Sequence, residues 1–239
     1  LAEPLAKPGG AASPCAACRV RHMTICGSLD DTEIAEMTAI ARAIELAPGD
    51  PIFDEGEPAT QVFNVTAGTV KVYKLLADGR RQVTGFLFPG DFLGLANDTV
   101  YAYSAEAVTH AGLCRFARPR MEALLVRFPH LQSRLLSVAS HELAAAQEQM
   151  LVLGRKTAKE KLATFLLSLS RRAAERGQDA DTVILSMSRT DIGDYVGLTT
   201  ETVSRTFTQL RGQGLIALHS GGRVALRHRE ALEALAQGA

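Results

Sequence analysis

The sequence lacks any apolar run near the roughly 18–20 residues that a membrane-spanning helix requires. Its first residues, LAEPLAKPGGAASPCAAC, lack the apolar core of a secretory signal peptide. We therefore expect a cytoplasmic protein with no membrane partner. The GxxxxGK[ST] phosphate loop, the HExxH zinc motif and a Ser/His/Asp catalytic order are also missing. We therefore expect a protein that is not an enzyme.

The chain has no net charge, because 26 Lys and Arg balance 26 Asp and Glu among 239 residues. It is therefore not a polycation as a whole. The balance is uneven along the chain, since residues 1–150 carry 13 Lys and Arg against 17 Asp and Glu, and residues 151–239 carry 13 against 9. A basic C-terminal part indicates a polyanionic partner for that part alone.

The pattern of apolar residues changes along the chain and predicts an α+β protein. Apolar side chains at helical spacing predict a short helix over residues 29–46. Short β-rich runs between glycine turns, from about 47 to 118, predict a small barrel or roll. Residues 119–153 and 156–176 are predicted to be helical.

The second half of residues 119–153 carries an apolar seam with spacings of 3, 4, 3, 4 and 3. This heptad pattern favours a helix that pairs with a copy of itself. An intramolecular core helix is the alternative. The residues predicted to form the dimer interface are Leu136, Ala139, Leu143, Ala146, Met150 and Leu153.

Residues 188–226 carry the most specific pattern. The run from Ser188 to Asp191 resembles a capping box and predicts the start of a helix. Gly197 supplies a tight turn, and Thr199 is suited to cap a second helix. Two short apolar runs around a glycine turn, over 215–226, predict a β-hairpin. A helix, a turn, a helix and a hairpin form a winged helix-turn-helix.

The second helix of this module presents Glu201, Ser204 and Arg205 on one face of its first turns. These are the positions from which a recognition helix reaches base edges, where Arg pairs with guanine and Glu accepts from cytosine. The alternative is an intrahelical salt bridge between Glu201 and Arg205 on an ordinary surface helix. With the neighbouring phosphate contacts, the residues predicted to contact DNA are Ser188, Arg189, Thr199, Thr200, Glu201, Thr202, Ser204 and Arg205.

The positions of all four cysteines in the sequence suggest one shared site. Cys15, Cys18 and Cys26 form a C-x2-C-x7-C motif near the N-terminus, and Cys114 lies alone near the end of the β-rich region. In a reducing compartment, metal binding or redox sensing is expected rather than disulfides. Four thiolates suit a tetrahedral soft-metal site or an iron–sulfur cluster. Zinc and a thiol-redox site are therefore open alternatives to a cluster.

The order of β-rich domain, long helix and winged helix, with SRTDIGDYVGLTTETVSRTFTQL near its end, resembles the CRP/FNR superfamily of bacterial transcription factors. The resemblance covers residues from about 15 to 226. It implies a homodimer that binds a palindromic operator on double-stranded DNA, and contact with RNA polymerase, for which the turn over residues 77–81 is a candidate. It also implies a cysteine-bearing segment (1–28), a sensory β-roll of the cyclic-nucleotide-binding type, a double-stranded β-helix (29–130), a dimerisation helix (131–155) and a winged helix-turn-helix domain (156–239).

Two features of the sequence bear on the signal that is sensed. Cyclic-nucleotide-binding members of the superfamily carry a ribose-binding Glu and a phosphate-binding Arg, where this chain has Leu95 and Tyr103. No Lys or Arg occurs from Asp91 through Leu113, so we expect no cyclic nucleotide to bind.

The cysteine arrangement resembles the FNR branch, and within it the FnrN-type members. That resemblance implies an oxygen-labile [4Fe-4S] cluster held by Cys15, Cys18, Cys26 and Cys114. It further implies that the cluster controls dimerisation and operator binding, mainly activating genes at low oxygen. A CRP/FNR-type regulator with a four-cysteine zinc site or a thiol-redox site is the alternative.

Overall fold

The structure, a computed structural model, describes residue 15 and residues 18–95 and 99–238. Residues 1–14, 16 and 17, which make up most of the N-terminal stretch discussed above, lie outside this description. The fold is α+β, as predicted: an N-terminal β-domain is followed by a long helix and a C-terminal winged helix-turn-helix.

The β-domain is a roll of two four-stranded antiparallel sheets, with strand orders β1-β8-β3-β6 and β2-β7-β4-β5 in the described residues. Buried side chains from both sheets fill the space between them, including the stacked rings of Phe53 and Tyr101. The strands are β1 (Ala41–Leu46), β2 (Pro51–Phe53), β3 (Gln61–Ala67), β4 (Val70–Leu75), β5 (Arg81–Leu87), β6 (Phe92–Leu93), β7 (Ser104–Ala107) and β8 (Ala111–Ala117).

The helix predicted over residues 29–46 is wrong in its second half. Helix α1 covers only Glu33–Ile40, and the chain then continues directly into β1. Ile44 and Leu46 alternate with exposed residues, so the spacing of the apolar side chains also fits a β-strand, in which every second side chain lies on the same face. Pairing with β8, which places Ile44 opposite the buried Leu113, decides between the two structures.

Residues 119–153 are helical, as predicted, but they are divided into α2 (Arg118–Arg127) and α3 (Pro129–Arg155). Pro129 has no amide hydrogen to donate, so it is suited to the first turn of α3 and not to the interior of a longer helix. The predicted helix after them is α4 (Ala158–Glu175), which begins with a capping box between Thr157 and Glu160.

The C-terminal domain has the predicted helix-turn-helix in α5 (Arg189–Val196) and α6 (Thr200–Gly212). The predicted hairpin is also present, as β10 (Ile216–Leu218) and β11 (Arg223–Leu226). Two elements were not predicted. Strand β9 (Thr182–Ile184) adds a third strand beside β11, and helix α7 (Arg229–Gln237) packs on α4.

A buried ion network joins the roll to the winged helix. Lys71 of β4 is 7% exposed, and its ammonium lies 2.9 Å from Glu106 of β7 and 3.1 Å from Asp191 of α5. Arg81 of β5 contacts Asp191 and Asp194 at 2.8 and 2.9 Å. We call these five residues the interdomain clamp, because they fix α5 against β5.

The carboxyl of Asp191 is central to this clamp. Burial alone raises its pKa, but hydrogen bonds from Ser188 and Lys71, together with the Lys71 charge, hold the pKa below its usual value. The native state therefore favours the ionised carboxyl. This contribution to stability is present at neutral pH and is lost as the pH falls through the folded-state pKa.

Lys71→Met should lower the free energy of unfolding by about 2–3 kcal/mol at neutral pH, because Glu106 and Asp191 lose a buried counter-ion while Arg81 still pairs with Asp191. The matched control is Lys74→Met on the same strand, where an exposed pair with Glu55 is broken and less than about 1 kcal/mol is expected. Urea unfolding at neutral pH measures both. Equal small losses in the two variants would show that the clamp does not stabilise the fold.

Candidate functional site

Cys26 lies in a short 3-10 turn, Ile25–Ser28, whose first amides are capped by Thr24. The Cys26 amide donates to the Thr24 hydroxyl at 3.2 Å. This cysteine turn packs on the first turns of α3, where Ile25 and Cys26 share an apolar cluster with Phe128 and Leu131. The position of Cys26 and the start of the long helix are therefore coupled by packing.

Cys114 reaches the same place from the sheet. It lies in β8 directly opposite Asn64 of β3, so the two side chains share one face of the sheet. Asn64 is buried, and its amide nitrogen donates to the Cys26 Sγ at 3.6 Å. Its other side-chain atom, Oδ1, is buried without a hydrogen-bond partner. Asn64 thus stands between two cysteines that are far apart in sequence.

All four cysteines are free thiols, and Cys26 and Cys114 each interact electrostatically with Cys15 and Cys18. Burial, with a smaller contribution from the charges of neighbouring cysteines, raises the pKa of Cys26 to about 11 and that of Cys114 to about 12. Among the described residues, no three His, Cys, Asp or Glu side chains are arranged closely enough to hold a metal ion. The structure therefore places predicted ligands near one another, but their side chains are not arranged as a complete set of metal ligands.

This donor set fits a soft metal centre. The thiols of Cys26 and Cys114 are unfavourable as thiolates in this enclosed setting unless a cation lies among them. A metal would supply that cation, and ligand sets commonly close only as the metal binds. Donor chemistry alone does not distinguish an iron–sulfur cluster from zinc.

The predicted seam on α3 lies open along most of its length. Leu136, Leu143 and Met150 are 68%, 61% and 64% exposed, although α3 is a helix of 27 residues. Ala146 is exposed and Ala139 is partly buried. Leu153, the last seam position, contacts the chain itself: a Cβ built at Gly197 would lie 3.1 Å from its Cδ2. An apolar stripe therefore has no partner within the described chain over its central turns.

The helix-turn-helix is built as its local signals require. Ser188 and Asp191 form the capping box, with the Asp191 amide donating to the Ser188 hydroxyl at 3.0 Å. Gly197 ends α5 with a φ of 66°, a left-handed conformation that favours glycine. Thr199 accepts from the Thr202 amide at 3.2 Å and so caps α6.

The predicted base-contacting face of α6 is free. Glu201, Ser204 and Arg205 are exposed, while the opposite face of the helix is buried in the domain core. Within the described part of the chain, no ion pair joins Glu201 to Arg205, which was the alternative interpretation of their spacing. Thr200 is exposed beside them, and its hydroxyl lies 3.2 Å from that of Thr190.

The side chain of Arg189, which was predicted to contact DNA, does not extend freely into solvent. Its guanidinium lies 3.5 Å from the centroid of the Phe207 ring, and its Nη1 is buried without a hydrogen-bond partner. It borders a cavity of about 290 Å³ between α5 and the hairpin, which Ser188, His219 and Arg223 also line. The position of His219 beside this cavity could not be predicted, because nothing local in the sequence relates the hairpin to the start of α5.

Leu95 and Tyr103, on which the expectation of no cyclic-nucleotide binding rests, lie in one corner of the roll. The hydroxyl of Tyr103 accepts a hydrogen bond from the Gly94 amide at 3.2 Å, and its ring lies 5.6 Å from Phe53. Leu95 is exposed beside it. An aromatic side chain of the protein therefore already uses the Gly94 amide.

The roll, the long helix and the capped helix-turn-helix with its open recognition face define a DNA-binding transcription regulator. The family model "Cyclic nucleotide-binding domain" matches residues 43–128, and "Crp-like helix-turn-helix domain" matches residues 160–235. No helix in the described ranges combines the length and the apolar character that crossing a bilayer requires.

Known relatives extend over nearly the whole chain. The nitrogen fixation regulation protein FixK of Bradyrhizobium diazoefficiens is 41% identical over 222 residues, which are 93% of each chain. The transcriptional activator protein FnrL of Cereibacter sphaeroides is 37% identical over 85% of this chain and 84% of its own. The solved structure of FixK2 from Bradyrhizobium japonicum superposes with a TM-score of 0.77 at 39% identity, over 82% of this chain and 97% of that one. The chain belongs to the CRP/FNR superfamily of transcription regulators.

Arg205→Ala should weaken binding to a cognate operator by about 1–3 kcal/mol and relax discrimination at one base pair per half-site, because a bidentate contact to guanine is lost. The matched control is Arg211→Ala, at the far end of the same exposed face of α6. Competition binding with operators altered one base pair at a time measures the effect. An equal loss on every sequence would instead mean that Arg205 contacts phosphate.

Proposed function

We propose that this protein is an oxygen-responsive transcription regulator in which a [4Fe-4S] cluster, held by Cys15, Cys18, Cys26 and Cys114, controls dimerisation and operator binding. The supporting observation is the approach of Cys26 and Cys114 from two distant parts of the chain to the buried Asn64. When bound, such a cluster supplies an oxygen-sensitive link among four thiolates. The regulator acts mainly as an activator at low oxygen, without a cyclic nucleotide.

The relatives support the regulatory part of this proposal. The chain is similar to proteins called transcriptional activators, including FnrL and the Anr of Pseudomonas aeruginosa, which is 39% identical over 180 residues. Activation of transcription is thus the role that these names favour.

The chain's own residues provide the coupling from cysteines to helix. Tethering Cys26 to Cys114 fixes the cysteine turn on the sheet, and Ile25 and Cys26 then cover Leu131 and Phe128 at the start of α3. The Arg134 guanidinium adds a hydrogen bond of 3.4 Å to the Met23 carbonyl. Loss of the link between Cys26 and Cys114 would release the cysteine turn from Leu131 and Phe128 and loosen the first turns of α3.

Pairing of two α3 helices would bury the open seam. Each Leu or Met removed from water contributes about 1.5–3 kcal/mol, so three such residues per chain suffice for a reversible dimer. A two-fold dimer presents two copies of α6, which suits a palindromic operator with half-sites about 34–36 Å apart. A modest seam suits a switch, because a small bias then shifts the monomer–dimer equilibrium.

Contact with RNA polymerase is assigned to the turn between β4 and β5. Arg80 and Asp78 form an exposed pair at 2.8 Å, and Leu75 and Leu76 are exposed beside them. Arg81 faces α5 in the interdomain clamp, so the contact surface is limited to residues 75–80.

Changing any one of the four cysteines to Ser should lower the iron and sulfide content of anaerobically purified protein, because a ligand is lost. The content should fall to less than about a tenth of the wild-type value in Cys26→Ser and Cys114→Ser, whose thiols neighbour the buried Asn64. The control is His22→Ala, within the same segment, which should keep wild-type content.

The same assay separates the alternatives. One zinc per chain and no iron would establish the four-cysteine zinc site. Metal-free protein with a reversible disulfide would establish the thiol-redox site. Full iron and sulfide in all four variants would refute the ligand set.

Leu143→Glu should shift the anaerobic protein from dimer to monomer without unfolding it, because a charge is placed in the centre of the seam at a position that is 61% exposed within one chain. Val126→Glu on α2, at an 85% exposed position away from the seam, is the matched control and should stay dimeric. Sedimentation velocity measures both. A dimeric Leu143→Glu protein would mean that another surface forms the dimer.

A further inference from the structure

Lys161 of α4 is a largely enclosed residue whose charge the helix-turn-helix and the cysteine site do not use. It is only 7% exposed, and its ammonium forms no hydrogen bond or ion pair with the described residues. Lys71, buried to the same degree in the protein, has two carboxylate partners. Burial without a counter-ion is unfavourable for an ammonium and lowers the pKa of Lys161.

The Lys161 side chain lines a cavity of about 100 Å³ between α3, α4 and the end of α5. Arg171 and Arg172 of α4 line the same cavity, where Glu148 of α3 is the one carboxylate among its described lining residues. Arg172 is already engaged by Asp91 and by the Phe86 carbonyl. Arg171 and Lys161 have no acidic partner in the described chain, so the cavity carries an excess of positive charge.

We propose that this cavity is a binding site for one small oxyanion, of the size of inorganic phosphate, sulfate or a simple carboxylate, with Lys161 as its principal contact. The volume accommodates one such anion and is well below the roughly 300 Å³ at which pockets for larger organic ligands begin. An anion there gives Lys161 the counter-ion that the chain does not supply. This site is independent of the cluster and of the cyclic-nucleotide position in the roll.

The site lies at the junction between the dimerisation helix and the helix-turn-helix. The Lys161 Nζ is 3.7 Å from the point that a Cβ at Gly197 would occupy, at the turn between α5 and α6. The Gln149 amide of α3, on the cavity wall, donates to the Tyr195 carbonyl of α5 at 2.8 Å. A bound anion therefore strengthens the contact that orients the recognition helix relative to α3. The α3 residues of the wall lie on a different face from the exposed central seam, and only the last seam residue, Leu153, borders Gly197 beside Lys161.

Isothermal titration of the full chain with inorganic phosphate, at constant ionic strength, tests the site. We expect saturable binding that Lys161→Met weakens at least about tenfold, because a charge-assisted contact is lost. Lys161→Met should melt no lower than wild type without phosphate, since a largely enclosed charge without a counter-ion is removed. Lys159→Met, on the same helix but outside the cavity lining, is the matched control and should bind like wild type. Parallel titrations with sulfate and acetate distinguish a tetrahedral anion from a carboxylate.

A second variant tests whether Glu148 is the true partner of Lys161. Glu148→Gln should bind the anion several-fold more tightly, because a competing negative charge leaves the cavity. If it instead lowers stability with no gain in anion affinity, a Lys161–Glu148 pair exists in solution and the proposal is overturned. It is likewise overturned if wild type binds none of the three anions, or if Lys161→Met binds them undiminished. Neither result bears on the iron and sulfide content that tests the cluster.

Discussion

The packing of the cysteine turn on the first turns of α3 is the contact on which the regulatory account depends. Ile25 and Cys26 meet Phe128 and Leu131 in one apolar cluster, and the same turn reaches the sheet through the Cys26–Asn64 hydrogen bond. In the proposed function, a change at the thiols would reach the start of the long helix through this packing. Between its buried ends at Leu131 and Val152, α3 is largely exposed, so its central turns depend on what pairs with them.

The roll is joined to the C-terminal domain both by charge and by apolar packing, which includes Phe86 of β5 against Phe165 and Tyr195. Lys71 and Arg81 of the roll contact the Asp191 carboxylate, which also accepts hydrogen bonds from the amide and hydroxyl of Ser188, so one carboxylate both caps the start of α5 and anchors it to the roll. Because a buried carboxylate without its cations is costly, the roll and the recognition helix keep a defined geometry. The roll thus contacts α3 at its start and the DNA-binding domain at α5. Helix α4 packs against both α3 and α5, close to Lys161.

The parts that sequence predicted well are those with local signals. The capping box at Ser188, the glycine at 197 and the Thr199 cap specify the helix-turn-helix within a dozen residues. The apolar stripe on α3 also follows from its own periodicity, while its pairing with a second copy stays a prediction. The rest required long-range pairing. Residues 41–46 fit helix or strand until β8 is placed beside them, and the approach of Cys26 to Cys114 depends on the register that sets Asn64 opposite Cys114. No sequence pattern predicts the interdomain clamp or the unpaired Lys161. The clamp depends on partners that lie far apart along the chain, and Lys161 stands out because the described chain brings no such partner to it.

Hydrogen–deuterium exchange before and after exposure to air tests the central coupling most directly. In anaerobic protein, the account predicts strong protection of two groups of amides: those of the cysteine turn, where Leu29 donates to Cys26, and those of α3 from Leu131 to Val138. On aeration, both groups should lose protection together, with the amides of the Asp191-capped α5 unchanged. A cysteine turn that loosens while the first turns of α3 keep their full protection would contradict the account, because the thiols would then have no path to the dimer.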